Sequence, residues 1–428
     1  PAIKYSEIHA TQTSTATASS YIYISQVTDT NTGYTFQEST GKYVLKNAVL
    51  VDPTTKNYSN GTYYTCGSTS TSCDTLYLLS SVTSSTDHTT QYTTYTLTKY
   101  NYTSAILSYD NSESGLYSTA DDEGISYYYR GIVGGNYVKF ANKYWRIIRI
   151  NGDNSIRMIY AGTYAPDANT KVTLTESGNF DDDGYVIEGQ KTSVGYSKFN
   201  PNYNSAEYVG YMYTIGEQHG NSTDSTIKTY IDAWYNTNIK NTPNASYVVD
   251  AIYCNDRTRV TDTTKMAELD GYWEFTSTGE GFGTKVTYYG VFNRMTSDAT
   301  SVTPSLKCPE TRDKFTVSNT HGNGKLDNPI GLITVDEMVF GGSMANWNNN
   351  TENNETYLYN GTNWYWTMSP FAFDDVYARV GYGRWGAVDF NDVDNASGGA
   401  RPVISLLSSG ITDGNGTMSK PFIIGTGN

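Results

Sequence analysis

Residues 144–160 read YWRIIRINGDNSIRMIY. Two runs rich in β-branched and aromatic residues flank Asn151, Gly152, Asp153 and Asn154. Alternation on both sides of a turn-forming cluster predicts an antiparallel hairpin, because successive side chains of a strand point to opposite faces. Arg146, Arg149 and Arg157 interrupt the apolar runs. The reading takes them as a solvated face, with Ile and Met on the buried one.

Outward from this hairpin the same period recurs. YTFQESTGKYVL (34–45) and YTTYTLTKY (92–100) alternate within a Thr/Ser/Tyr-rich region that ends near the polar break YDNSESG, 109–115. The expectation is a β-rich N-terminal domain over 1–112 and a larger α+β domain over 113–428 with few helices. STDSTIKTYIDAWYNTNIK (222–240) predicts the clearest helix, with Ile227, Tyr230, Ile231, Trp234 and Ile239 near helical spacing and Ser222, Thr223 or Ser225 as cap. LITVDEMVFGG (332–342) predicts a shorter one, with Thr334 before the acidic Asp336 and Glu337 and Gly341 after it.

The chain has 428 residues, a net charge of −14, and 40 Tyr against 13 Phe. Such acidity excludes phosphate-backbone readers, so no nucleic-acid partner is expected. Abundant Tyr suits wet sheets and binding faces, since each ring keeps a polar hydroxyl. Four Cys without a CxxC unit predict disulfides and an oxidising, extracellular compartment. Cys66 and Cys73 are near enough to staple a loop, and Cys254 and Cys308 to close a second. No stretch approaches the ~18 apolar residues of a membrane-spanning helix.

Catalytic signatures are missing. His9, His88, His219 and His321 sit in polar contexts without partners at ligand or triad spacing, and are read as surface residues. GEGFG (279–283) lacks the helix that a phosphate cradle needs. NFDDDGY (179–185) and DFNDVDN (389–395) offer oxygen ligands for Ca²⁺, but neither has EF-hand spacing. No catalytic residue, metal or cofactor is assigned, and Ca²⁺ stays an open alternative at those two clusters.

Phe371–Asn395, FAFDDVYARVGYGRWGAVDFNDVDN, crowds aromatic and charged side chains between NWYWTMSP (363–370) and GGARPVISL (398–406). Alternation places Val376, Ala378 and Val380 inward and Tyr377 and Arg379 outward.

Several blocks resemble a family of exported surface proteins from gut Firmicutes and their relatives. They are YYYRGIVGGNYVKFANKYWRIIRINGDNSIRMIY, VGYMY, STIKTYIDAWYNTNI, YCNDR, NGKLDNPIGLITVDEMVFGG, NWYWTMSP, GGARPVISL and ITDGNGTMSKPFII, in order from Tyr127 to Ile424. YYTCGSTSTSCDTLY (63–77) has the same look. Family members often carry a prepilin-like N-terminal helix or another surface anchor, and PAIKY resembles the stretch beyond such a helix.

Trp364–Leu406 is similar to the end of C-type-lectin-like domains of the formylglycine-generating-enzyme type, a fold shared with variable proteins of diversity-generating retroelements. The resemblance implies a rigid scaffold (Trp364, Trp366, Met368, Pro370, Arg401, Pro402, Val403, Ile404) holding a reading face. The candidate ligand-binding residues are Phe371, Phe373, Asp374, Asp375, Tyr377, Arg379, Tyr382, Arg384, Trp385, Asp389, Phe390 and Asp392. The expected function is non-catalytic binding or adhesion at the cell surface, to a protein or glycan on another cell or a host. The alternatives are a pilus-like filament subunit, with residues 1–25 adding a strand to a second copy, and a secreted carbohydrate-active hydrolase.

Overall fold

The structure, a computed structural model, describes residues 115–163, 192–260, 282–295, 303–345, 356–359 and 364–425, with shorter strand segments elsewhere. Contacts divide the chain into Glu7–Ser108 and a larger unit made of Pro1–Ser6 with Tyr109–Asn428. The protein is β-rich, with three α-helices among the described residues.

In the smaller unit, Thr13–Ala18 lies at the edge of a six-stranded sheet and pairs with Thr90–Tyr100, itself paired with Leu76–Asp87. Cys66 and Cys73 form a disulfide there. Ile3–Lys4 pairs instead with a strand of the larger unit, at Tyr117 and Ser118.

The larger unit begins with β1 (Gly115–Ala120), β2 (Ile125–Arg130), β3 (Tyr137–Phe140), β4 (Lys143–Ile150) and β5 (Ile156–Gly162). β4 and β5 form the expected hairpin, with Arg149 opposite Arg157. The turn closes by a hydrogen bond from Asn154 N to Asn151 O at 2.9 Å. Asn154 takes the left-handed conformation, φ 69°, which Asn tolerates better than most residues.

A second sheet holds β6 (Tyr365–Phe373), β7 (Ala378–Arg384) and β8 (Ala387–Asp392), joined by antiparallel pairing. Gly399–Ala400 flanks β6. The chain then enters β9 (Val403–Leu406), which returns to the first sheet beside β5.

Helix α1 (Thr226–Tyr235) is capped by Ser225, whose hydroxyl accepts from Lys228 N at 3.3 Å. Helix α2 spans Gly290–Met295 and α3 spans Val335–Phe340. Thr334 and Glu337 close a capping box at the start of α3, satisfying two backbone N–H groups reciprocally. Every residue of α3 is buried, and it touches β2 of the first sheet as well as β6, β7 and β8 of the second. Packing is tight at Gly383, where a Cβ would lie 2.4 Å from Met338 Cε and 2.8 Å from the Tyr365 ring at Cζ. Cys254 and Cys308 form the second disulfide.

The hairpin corrects one expectation. β5 is buried on both faces, and Arg146, Arg149 and Arg157 are in the interior rather than on a solvated face. A second layer covers the side that alternation assigned to water.

Candidate functional site

Buried arginines need counter-charges or acceptors, and the fold supplies them. Arg149 Nη1 reaches Asp121 Oδ2 at 2.8 Å, and its Nε reaches Glu337 Oε1 at 3.0 Å. Arg157 also pairs with Glu337. Glu337 therefore serves as the capping-box residue of α3 and as the shared anion of two strands. The two guanidinium groups hold its carboxyl below the usual value, against the opposing effect of burial. Arg146 donates to Asn136 Oδ1 and Val133 O, with its guanidinium 3.9 Å from the Tyr137 ring centroid.

Arg149, Arg157 and Glu337 border a small, partly open cavity that also meets Asp256, Arg294 and Asp336. Arg294 bridges Asp256 at 2.8 Å and Asp336 at 2.7 Å. The cavity is a salt-bridged junction, separate from the candidate segment 371–395.

In that segment the bracket residues Trp366, Met368, Arg401, Val403 and Ile404 are buried. Trp366 Nε1 donates to Ser197 O at 2.8 Å, and Arg401 Nε to Tyr160 O at 2.9 Å. Between the brackets, the candidate residues separate into three settings.

Phe371 and Phe373 are core, 4% and 0% exposed. Phe371 stacks on Phe390 with centroids 4.1 Å apart, and it also lies 5.1 Å from Phe292 of α2. These two do not belong to a displayed face, because β6 is the central strand of its sheet and is buried along its whole length.

Arg379, Asp374, Asp392 and Phe390 form a second group. Arg379 Nη2 lies 2.8 Å from Asp374 Oδ2 and its Nε lies 2.9 Å from Asp392 Oδ1. The guanidinium sits 5.6 Å from the Phe390 centroid. Asp374 Oδ1 also accepts from Val376 N and Tyr377 N, which fixes the turn into β7. Asp375 is exposed in that turn, φ 78°. Tyr377 stacks on Tyr203 at 5.0 Å. Val376 is 50% exposed, not inward, since it precedes the strand whose alternation was applied to it.

Tyr382, Asp389, Arg384 and Trp385 form the third. Tyr382 is buried, its ring 4.9 Å from Trp364, and its hydroxyl donates to Asp389 Oδ2 at 3.0 Å. The reading face implied by the resemblance includes Tyr382, but in β7 it shares its face with Ala378 and Val380 and its ring turns inward. Burial, then the Asp389 charge, pushes its phenol above the usual range. Burial raises the Asp389 carboxyl too, opposed by the hydrogen bonds from Phe390 N and Tyr382.

At the hairpin tip between β7 and β8, Arg384 pairs with Ala387 across a two-residue turn of Trp385 and Gly386. Both turn residues have positive φ, 54° and 68°. Gly adopts this freely, but Trp does so at a cost of ~1–2 kcal/mol. The Arg384 guanidinium lies 3.6 Å from the Trp385 ring centroid, and both side chains are half-exposed.

Around DFNDVDN several carboxylate and amide oxygens are engaged by protein donors: Asn391 Oδ1 by Asp392 N, Asp392 by Arg379, Asn395 Oδ1 by Ser397 N. Most of NFDDDGY, and likewise His9 and His88, lies outside the described residues. His219 is not a surface residue: its Nδ1 lies 2.9 Å from buried Asp313, which also pairs with Arg257. His321 is half-exposed, 3.5 Å from both Glu123 and Asp250.

Comparison of the chain with family models, curated proteins and solved structures finds no match.

Proposed function

We propose that the protein is a non-catalytic binding or adhesion protein of the cell surface. In this reading 113–428 is a C-type-lectin-like domain that presents the tip of the β7–β8 hairpin to a protein ligand. The observation that carries it is Trp385, a bulky residue in the left-handed region at a half-exposed turn, with Arg384 laid over its ring. A strained, only partly exposed aromatic costs the fold stability, and such outliers collect at functional positions. Trp and Arg are also the side chains most enriched at binding hot spots.

In this reading the contact face is Arg384 and Trp385, flanked by Asp389, because Asp374, Arg379 and Asp392 have partners within the protein. Asp374 and Asp392 are already committed to Arg379, and Asp389 accepts from Tyr382 and Phe390 N. Arg384 itself reaches Tyr382, so what remains for contact is the Trp385 ring and the outer part of the guanidinium, a compact pair of the kind that anchors protein–protein contacts. The two disulfides fit an extracellular setting. Among the described residues no helix is long and apolar enough to cross a membrane.

The test is binding of fluorescently labelled full chain to cultured epithelial cells, before and after surface proteolysis or deglycosylation. Loss after proteolysis alone supports a protein ligand. Loss after deglycosylation identifies a glycan, and absence of binding to untreated cells counts against adhesion.

The filament alternative draws on Thr13–Ala18, an edge strand of its own sheet and so a template for further pairing. The hydrolase alternative needs two carboxylates facing across a groove. The cavity's Asp121, Asp256, Asp336 and Glu337 each have an arginine partner instead.

A further inference from the structure

Lys228, on α1, is completely buried, which is rare for lysine. Its Nζ lies 2.9 Å from Asp232 Oδ2, 3.0 Å from Asp224 Oδ2 and 3.3 Å from Asp327 Oδ2. The three carboxylates have oxygens within 4.8 Å of one another, and the positive charge among them is this ammonium.

Ion pairing alone leaves one neighbour unexplained. The other oxygen of Asp232, Oδ1, accepts from Asn328 Nδ2 at 2.8 Å. Asn328 is 1% exposed, and its carbonyl Oδ1 has no hydrogen-bond partner among the described residues. An orphaned buried acceptor costs roughly 1–3 kcal/mol. One buried carboxylate thus holds a lysine amine on one oxygen and a carboxamide nitrogen on the other, within electrostatic reach of the fully buried Tyr211 phenol.

We propose that Lys228 and Asn328 are joined by an autocatalytic intramolecular isopeptide bond, with Asp232 as the proton carrier. The Lys228 ammonium gives a proton to Asp232. The lone pair freed on Nζ attacks Asn328 Cγ, and the carbonyl electrons move to Oδ1. Asp232 delivers its proton to Nδ2, takes the second from Nζ and passes it on. The Cγ–Nδ2 bond breaks as the carbonyl re-forms. One ammonium ion leaves, the Nζ–Cγ amide remains, and Asp232 ends ionised as it began; no oxidant or external reagent enters.

Burial supports the shuttle by raising the Asp232 carboxyl above its usual value, despite the Lys228 and Asn328 hydrogen bonds. Burial also works against the Lys228 charge, although the adjoining carboxylates keep the ammonium as the resting form. The bond would tie α1 to the segment that leads into α3, closing the long loop between 228 and 328. Such a closure constrains the unfolded chain as a disulfide does, without sensitivity to reductant.

The experiment is intact-mass spectrometry of the purified full chain after reduction, followed by tryptic mapping. The expected mass is that of the sequence less one ammonia. The expected map shows no cleavage at Lys228 and one branched peptide joining Lys228 to Asn328. The full sequence mass overturns the proposal, as does an ammonia loss that maps to other residues. Asp232→Asn and Lys228→Arg should each restore the full mass; an Asp232→Asn chain that still lacks the ammonia overturns the role given to Asp232. Because the unaltered chain gives the primary readout, poor folding of a variant leaves the test decisive.

Discussion

The guanidinium of Arg384 lies over the indole of Trp385, its next residue, at 3.6 Å, on a turn where Trp385 holds φ 54°. Adjacent strand residues point to opposite faces, so the two side chains meet only because the left-handed turn swings the indole back. Strain and contact at the tip therefore share one cause. Replacing Trp385 by Asn creates an Asn-Gly turn, the preferred pair for this geometry. Relief of ~1–2 kcal/mol of left-handed strain outweighs loss of a ~0.5–1 kcal/mol exposed cation–π contact. Thermal denaturation should show Trp385→Asn at least as stable as the parent.

Tyr382 and Arg384 separate core from display. Tyr382→Ala empties a buried site against Trp364 and should cost ~3 kcal/mol in denaturant unfolding. Arg384→Ala, at a half-exposed tip, should cost less than about 1 kcal/mol. Equal losses would mean that the tip is packed as core.

Glu337 is the shared anion of Arg149 and Arg157. Glu337→Gln leaves buried Arg157 without its carboxylate partner and Arg149 with Asp121 alone, and should destabilise by ~3–5 kcal/mol.

The same carboxyl sets an acid limb. Its folded pKa lies below the reference value of 4.5, so its stabilisation is full above that value. It is lost as pH falls from there through the folded pKa. Asp389 and Asp232, raised by burial, act with the opposite sign, since the folded state binds their protons more readily. Unfolding free energy measured against pH should fall below 4.5 in the parent. Glu337→Gln should fall less steeply there.

Cys254–Cys308 closes a loop with a sequence separation of 54, and Cys66–Cys73 one of 7. Loop-closure entropy assigns about 4 kcal/mol to the first and about 2 kcal/mol to the second. Denaturant unfolding of Cys254→Ala/Cys308→Ala should show the larger loss, in the larger unit.

Local rules read the hairpin at 144–160, a cap for α1 among Ser222, Thr223 and Ser225, and a start for α3 at Thr334 ahead of Asp336 and Glu337 from sequence, because each depends on neighbours within a few residues. That Ser225 is the cap and Glu337 closes a box came from the structure. The buried arginines were illegible. A period-two strand looks the same whether water or a second sheet lies over its polar face, and Glu337, about 180 residues away, gives no local sign of its role. Lys228 hid similarly: Asp224 and Asp232 at i±4 resemble ordinary surface pairs, and nothing local shows that Asn328, from a distant loop, meets Asp232. Tyr382, by contrast, was legible. Its parity with Val380 put it inside, and its chemical likeness to Tyr377 concealed that.

The most direct test of display from the hairpin tip is the binding of labelled parent and Arg384→Ala/Trp385→Asn chains to the same epithelial cells, at matched concentration and with melting temperatures recorded. The account predicts that the double variant loses at least tenfold in binding while melting no lower than Arg384→Ala alone. Undiminished binding by that variant, or a loss that follows only from unfolding, would contradict it.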